Sequence, residues 1–397
     1  MAISTQQPSC MTSHSASAVV VAAAFLLAVF LASPAVAQTY TILHTFTGGA
    51  DGDSPYAGLT MDHAGNLYGT TSDGGSRCRT CGTVFKLEHK NSGWVFYTLY
   101  SFSGPDGANP QARVIIGPDG NLYGTTMNGG TANNGVVFRL QPPPSFCRAF
   151  SCPWTETVLY SFLGGGDGSK PTYGDLAFDA AGNIYGTTPT SGGHGCGMVY
   201  ELSPSNGHWT ETILYRFQCG EDGNQPYAGV IFDSTGNLYG TTAAGGASGE
   251  GVVYKLTNTG SGWSETTIHS FDFNSISPYG GLIFDAHGNL YGMTGLVPIA
   301  VYRLSPTDGG WDYTALYTFT DVYGSTATPA MDAAGNLYGT IFIGSPEVFR
   351  VSPTGNQWIL TGFNGGVGDE PFGNVVLDAA GNVYGTVSSG AVFEVTP

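Results

Sequence analysis

Positive charge is scarce in this sequence. Its 397 residues include 12 Lys and Arg against 29 Asp and Glu, a formal net charge of −17, and no basic cluster forms beyond Arg77 and Arg79. Such a chain repels nucleic-acid phosphates and anionic lipid, which excludes both as partners. Charged residues of either sign make up only 10% of the chain. Apolar periodicity of the helical kind is missing after the N-terminus, so a helical fold is excluded. Nucleophile elbow, HExxH, P-loop and dinucleotide fingerprint are all missing, as is a dense D-x-D-x-D calcium loop. The G-x-x-G strings follow from glycine abundance alone. What the chain has instead is 61 Gly, 22 Tyr and 22 Phe. That mixture suits many short strands joined by tight turns. Hydrophobic residues at 41% supply a core, so disorder is excluded too.

One apolar run stands apart. Ala18–Leu31 is short for a membrane span and is followed by Ala35-Val36-Ala37, a small-x-small cleavage signal. Residues 1–37 therefore read as a signal peptide and 38–397 as the mature chain, secreted, periplasmic or at the cell surface. No Lys or Arg precedes the run, which leaves an uncleaved anchor as the alternative. Beyond it lie six cysteines, Cys78, Cys81, Cys147, Cys152, Cys196 and Cys219, in three sequence-local pairs. An even number in an exported chain points to disulfides. A zinc site is disfavoured, because no second CxxC or matching His pair accompanies Cys78-x-x-Cys81.

The dominant signal is a repeat. Gly65-Asn66-Leu67-Tyr68-Gly69 recurs from Gly120, Gly182, Gly236, Gly288, Gly335 and Gly381, seven copies spaced by 46 to 62 residues. Each copy carries four strand-like pieces, in the first Ala57–Asp62, Asn66–Thr71, Gly82–Leu87 and Trp94–Phe102. A D-x-x-G-N turn joins the first two, with Asp62 opening it and Gly65 closing it at positive φ. Gly69 and its counterparts sit inside a strand, where close approach of another backbone is expected. Four antiparallel strands repeated radially make a propeller blade. The last copy stops after its third piece at Gly390–Val395, whereas Thr41–Phe46 matches a fourth piece with no copy before it. The N-terminal strand is thus expected to complete the last blade and close the ring without open edges. The predicted fold is all-β, a seven-bladed β-propeller of four-stranded antiparallel blades, monomeric.

The GNLYGTT segment, a Gly-rich loop and GxVFKL together resemble the GloVer tandem repeat of bacterial exported proteins, over essentially the whole chain after residue 38. More loosely, the D-x-x-G-N-x-Y strand pair resembles NHL-type propellers and the sensor propellers of two-component regulators. The resemblance implies an exported propeller and carries no activity with it. With the first piece innermost by analogy to those propellers, the loops from strand four to the next strand one and from strand two to strand three share one face, here the top.

Candidate functional residues follow from that placement. Cys196 and Cys219 meet on the top and suit a disulfide. Cys147 and Cys152 share the longest bottom loop, and Cys78 and Cys81 a top loop. The loops leading into blades one to four repeat Asp and Gly, placing Asp53, Asp106, Asp167 and Asp222 as candidate ligand-binding residues around an acidic mouth, able to hold Ca²⁺ or a cationic group. Turn chemistry accounts for the same Asp-Gly pairs. The six tryptophans, Trp94, Trp154, Trp209, Trp263, Trp311 and Trp358, share one position at the start of the outer strand, which suits a structural role at the blade edge. Lys86, Arg139, Lys255, Arg303 and Arg350 share a strand-three position and are expected to pair with Glu156, Glu211 and Glu265 on strand four. Three function classes remain: a binding module for a carbohydrate, protein or small-molecule ligand, a lyase or hydrolase acting on an exported polymer or small molecule at the mouth, and a structural surface component. A convergent His/Asp/Glu set at the axis favours the enzyme, and an aromatic groove favours binding.

Overall fold

A computed structural model describes residues 1, 38–144, 153–274, 277–296, 298–320, 324–342, 346–362 and 370–396. Residues 39 to 397 form one compact unit. It consists of seven four-stranded antiparallel sheets, each a blade. In blade one the strands are Thr60–Met61, Leu67–Thr71, Thr83–Lys90 and Gly93–Ser101, from the axis outward. The innermost strand is shorter than its sequence pattern suggests. Only two of its residues pair in every blade, because the chain ahead of them turns in towards the axis against the neighbouring blade.

Ring closure follows the expected route. Thr39–Thr45 pairs antiparallel with Ala391–Thr396, Thr39 opposite Thr396 and Thr45 opposite Ala391, as the outer strand of blade seven. Both ends of the chain thereby enter one sheet, and no blade is left with three strands.

Two local devices explain the repeated residues. In the bottom turn, Asp62 accepts hydrogen bonds from the Ala64 and Asn66 backbone N–H groups, both 2.9 Å. Its other oxygen accepts from the Asn66 amide at 2.8 Å and the Tyr68 hydroxyl at 3.1 Å. Asp119, Asp179, Asp233, Asp285, Asp332 and Asp378 receive the equivalent tyrosine hydroxyl in the other blades. One carboxylate thus fixes the turn, its Asn and the second strand's Tyr together, and Gly65 (φ 80°) supplies the conformation that closes it.

The second device sits at Gly69. A Cβ there falls 2.5 Å from Cζ of Phe85, its register partner on strand three, so a side-chain ring, rather than the expected backbone, occupies the space. Gly124–Phe138, Gly186–Tyr200, Gly240–Tyr254, Gly292–Tyr302, Gly339–Phe349 and Gly385–Phe393 repeat the pairing. Among the described residues, six of these rings, all but Phe393, then receive the phenylalanine at the end of the preceding blade's outer strand. Phe46 meets Phe85 with centroids 5.1 Å apart, Phe102 meets Phe138 at 5.1 Å, and Phe217 meets Tyr254 at 5.1 Å, edge-on in each case.

Tryptophan covers the same seams lower down. Trp94 lies 5.7 Å from the Tyr384 ring of the preceding blade, and Trp311 lies 6.1 Å from Tyr239. Lys86 and Lys255 stand over the Tyr68 and Tyr239 rings on strand two. Among the described residues no ion pair joins these cations to the expected partners Glu156, Glu211 or Glu265. Arg139 stands opposite Thr157 and Leu140 opposite Glu156, so the cation and the glutamate project from opposite faces of the sheet.

A hydroxyl near the axis links neighbouring blades. Thr70, Thr187, Thr241 and Thr340 donate to the carbonyls of Ala112, Ala228, Gly280 and Gly373 in the next blade. Thr386 donates to Ala57 at 2.8 Å, spanning the seam between the last blade and the first. The corresponding hydroxyl of Thr125 is buried without a partner among the described residues. Thr386→Val is expected to cost about 1–2 kcal/mol in urea denaturation, whereas Thr125→Val is expected to be neutral or stabilising. Equal losses in the two variants would contradict this assignment.

Candidate functional site

The structure places the sequence-predicted aspartates in the turns at the outer rim. Asp106 accepts from the Ser103 backbone N–H at 2.7 Å and the Tyr100 hydroxyl at 2.7 Å. Asp222 likewise takes Gln218 N–H at 2.7 Å and the Tyr215 hydroxyl at 3.0 Å, and Asp167 takes Leu163 N–H and the Tyr160 hydroxyl. Their counterpart in the first loop is Asp51, which accepts from Thr47 N–H at 2.9 Å and lies 3.5 Å from His44. Asp53 stands two residues further on, bonded to its neighbour Ser54 at 2.7 Å. None of the four sequence-predicted residues lines the axial cavities described below. Among the described residues no three His, Cys, Asp or Glu side chains gather as metal ligands.

The rim does bring acids together at the seams. Glu156 approaches Asp106, Glu211 approaches Asp167 and Tyr160, and Glu265 approaches Asp222. Burial is the main cause that lifts these glutamates, to about 7, about 8 and about 7 respectively, and the neighbouring aspartate adds to it. Arg77 offsets part of the charge at the first seam, 3.6 Å from Asp106. Cys78–Cys81 and Cys196–Cys219 are disulfides, with Cα atoms 5.3 and 5.4 Å apart. Cys147 and Cys152 lie outside the described residues.

A different top-face feature surrounds the axis. The residue ahead of the inner strand is Tyr56, Gln111, Tyr173, Tyr227, Tyr279, Thr326 or Phe372 in blades one to seven. Tyr173 and Tyr227 have centroids 6.2 Å apart, and Tyr227 and Tyr279 5.4 Å. Tyr56 meets Phe372 at 5.3 Å, and Phe372 stacks on Phe342 at 4.0 Å. The half-buried Tyr173, Tyr227, Tyr279, Phe342 and Phe372 rings, with Leu296, wall most of a cavity of about 540 Å³, and Tyr56 faces the narrower space beneath it. That volume lies in the usual range of ligand pockets, about 300–1,000 Å³. The polar groups in its wall, Gln111, Thr172, Ser325 and Thr326, are uncharged.

Two residues further along each chain segment the blades converge. This position holds Gly58, Arg113, Asp175, Gly229, Gly281, Thr328 and Asn374. Arg113 Nε donates to Asp175 Oδ2 at 2.6 Å. Thr328 N–H donates to Asn374 Oδ1 at 2.6 Å, and Gly281 N–H donates to Thr328 Oγ1 at 2.8 Å. The waist leaves about 10 Å³, room for about one water molecule. Below it a second axial cavity of about 280 Å³ is bounded by the inner strands of blades three to five. The mouth is therefore a cup with a polar floor. Burial raises the Asp175 carboxyl above the usual carboxylate range despite the Arg113 pair, and its Oδ1 is covered without a hydrogen-bond partner among the described residues.

Sequence reading passed over this cup. The available signal was a proline–aromatic pair ahead of the inner strand, Pro55-Tyr56, Pro226-Tyr227, Pro278-Tyr279 and Pro371-Phe372. The same position shows Pro110-Gln111 in blade two, and an extra residue separates Pro171 from Tyr173 in blade three, which blurs the periodicity.

Comparison with known proteins agrees with the architecture. The Gloeobacter/Verrucomicrobia repeat signature matches residues 28–171 and 151–344. The chain belongs to that family. No curated protein matches it. Among solved structures, a streptogramin B lyase is similar at 15% identity and a TM-score of 0.59, over 90% of this chain and 97% of that one. The extracellular domain assigned to a one-component system of B. thetaiotaomicron gives 10% identity and 0.56, over 89% of this chain and 39% of that one. The WD40 propeller domain of Doa1 gives 11% and 0.54, over 90% and 97%. At these identities the likeness is one of fold, and the neighbours' functions vary.

The seam glutamates set a pH dependence for the family member described here. A carboxyl raised in the folded state contributes stability that is fully present below its unfolded pKa and is lost as pH climbs through the folded value. The lowered turn aspartates, such as Asp62 and Asp233, act in the opposite sense and only at acid pH. His44 and His269, lowered chiefly by burial, also favour the fold as pH rises through their unfolded value. Melting temperature is expected to fall between pH about 5.5 and about 8.5, and Glu211→Gln is expected to flatten that slope. An unchanged slope in the variant would contradict the assignment.

Proposed function

We propose that the mature chain is an exported binding module whose ligand enters the axial mouth on the top face. Export is supported by the apolar run with its small-x-small site, by the two disulfides and by the family resemblance. Binding at the mouth is supported above all by one observation, the arc of aromatic rings from Tyr173 to Phe372 around a cavity of about 540 Å³. Half-exposed rings on a rigid scaffold offer apolar contact at small entropic cost. The mouth wall contributes no His, Cys, Asp or Glu among the described residues. The lyase or hydrolase alternative has one feature in its favour, the raised carboxyl of Asp175 at the floor, which suits a proton donor.

The experiment is a screen of residues 38–397 against glycans, extracellular proteins and small molecules, repeated on two variants. Tyr227→Ala is expected to weaken a hit about tenfold, a change of about 1.4 kcal/mol. The combined Asp53→Asn, Asp106→Asn, Asp167→Asn and Asp222→Asn variant is expected to bind like the parent. The reverse pattern would move the site to the acidic rim. Turnover of a bound ligand that disappears in Asp175→Asn would favour the enzyme.

A further inference from the structure

The floor of the mouth carries chemistry that the aromatic wall does not. Arg113 is held by Asp175 through Nε alone, and its terminal nitrogens make no hydrogen bond to the described residues. The Arg113 side chain is 31% exposed and lines the narrow waist between the mouth and the lower axial cavity, next to Gln111 and Tyr173 of the mouth wall. Asp175 fixes the plane of the fork and cancels its charge. The position is unusual in the ring: in the other five blades the same residue is Gly, Thr or Asn.

Three ligand classes can be weighed against that floor. A cationic ligand would have to compete with Arg113 for the aspartate. An anionic ligand would suit an Arg fork, but here it would meet Asp175 at contact distance and a chain of net charge −17 at long range. A neutral ligand with hydroxyls needs neither partner displaced. Its hydroxyl oxygens accept from Arg113, and its hydroxyl hydrogens are taken by Gln111 and the tyrosine oxygens of the wall. The wall adds a requirement for flat apolar faces, which the Tyr173, Tyr227 and Tyr279 rings can cover. A sugar ring meets both conditions, since its C–H faces are apolar and its edges carry hydroxyls.

We propose that the mouth takes the end of a neutral oligosaccharide, stacked on the tyrosine arc and read at the floor by the Arg113 fork, with Asp175 as the positioning residue. The inference rests on the mouth being the binding site and adds the ligand class and the polar contact.

The test uses the mature protein and hexasaccharides as probes: cellohexaose, xylohexaose, mannohexaose and maltohexaose as neutral chains, the glucosamine hexamer as a cationic one and the galacturonate hexamer as an anionic one, each titrated by calorimetry. At least one neutral chain is expected to bind, and both charged chains are expected to bind more weakly. Breaking a partly buried pair can cost stability by itself. The informative variant is therefore the double substitution Arg113→Leu with Asp175→Leu, which removes donor and acceptor together and is checked for an unchanged melting profile. It is expected to weaken the neutral ligand about tenfold or more, whereas Asp175→Asn, which keeps an acceptor for Nε, is expected to lose less. Binding unchanged in the double variant but lost in Tyr227→Ala would overturn the floor contact and leave the mouth standing. Preference for a charged chain would overturn the ligand class alone. Failure of every hexasaccharide would overturn the carbohydrate proposal, while a non-sugar hit sensitive to Tyr227→Ala would preserve the mouth.

Discussion

An aromatic ring laid across a glycine is the contact on which each blade depends. Gly69 leaves a slot on strand two, Phe85 fills it from strand three, and Phe46 of the preceding blade closes on the ring from outside. Any side chain on the glycine would displace the ring, and a displaced ring would lose its partner in the preceding blade. Intrablade register and interblade packing are therefore set by the same atoms. Fully buried Phe85, Phe138, Tyr200, Tyr254, Tyr302, Phe349 and Phe393 are the seven copies of this element. A ring of seven blades is stable only when the last blade meets the first, which is why the strand at Thr39–Thr45 and the Thr386–Ala57 bond matter to every blade.

Much of this was legible in the sequence because repetition supplies its own control. Seven copies of G-N-x-Y-G isolate the residues that the architecture needs, and the complementary ends reveal closure. The Cys196–Cys219 pair could be placed from loop topology once the strands were ordered by analogy with known propellers. The errors came where a repeated residue has more than one physical explanation. Glycine inside a strand was assigned to backbone approach, although the Phe and Tyr sixteen or fewer residues later carry the same periodicity. The strand-three cations and strand-four glutamates were paired by sign, although a one-residue offset sends them to opposite faces.

The candidate site was less legible for a related reason. Function in a repeat protein lies where the copies differ, and a reading built on matching copies discounts differences. Arg113 and Asp175 occur once each at a position otherwise filled by small or neutral residues. The Asp-Gly loops attracted notice because they recur, and recurrence is what turn capping requires. The mouth aromatics lie between these extremes, repeated in five blades and replaced by Gln111 and Thr326 in two, which gives the cup a polar side as well as an apolar one.

The central claim, that ligands engage the axial mouth, can be tested spectroscopically because tyrosines and no tryptophan line the mouth among the described residues. Trp94, Trp154, Trp209, Trp263 and Trp311 lie at the starts of outer strands, whereas Tyr173, Tyr227 and Tyr279 surround the axis. Ultraviolet difference absorption on titrating a binding oligosaccharide resolves tyrosine from tryptophan bands. Occupation of the mouth should perturb tyrosine with the tryptophan bands unmoved. A saturable change confined to tryptophan would place the ligand on the blade edges and contradict the account.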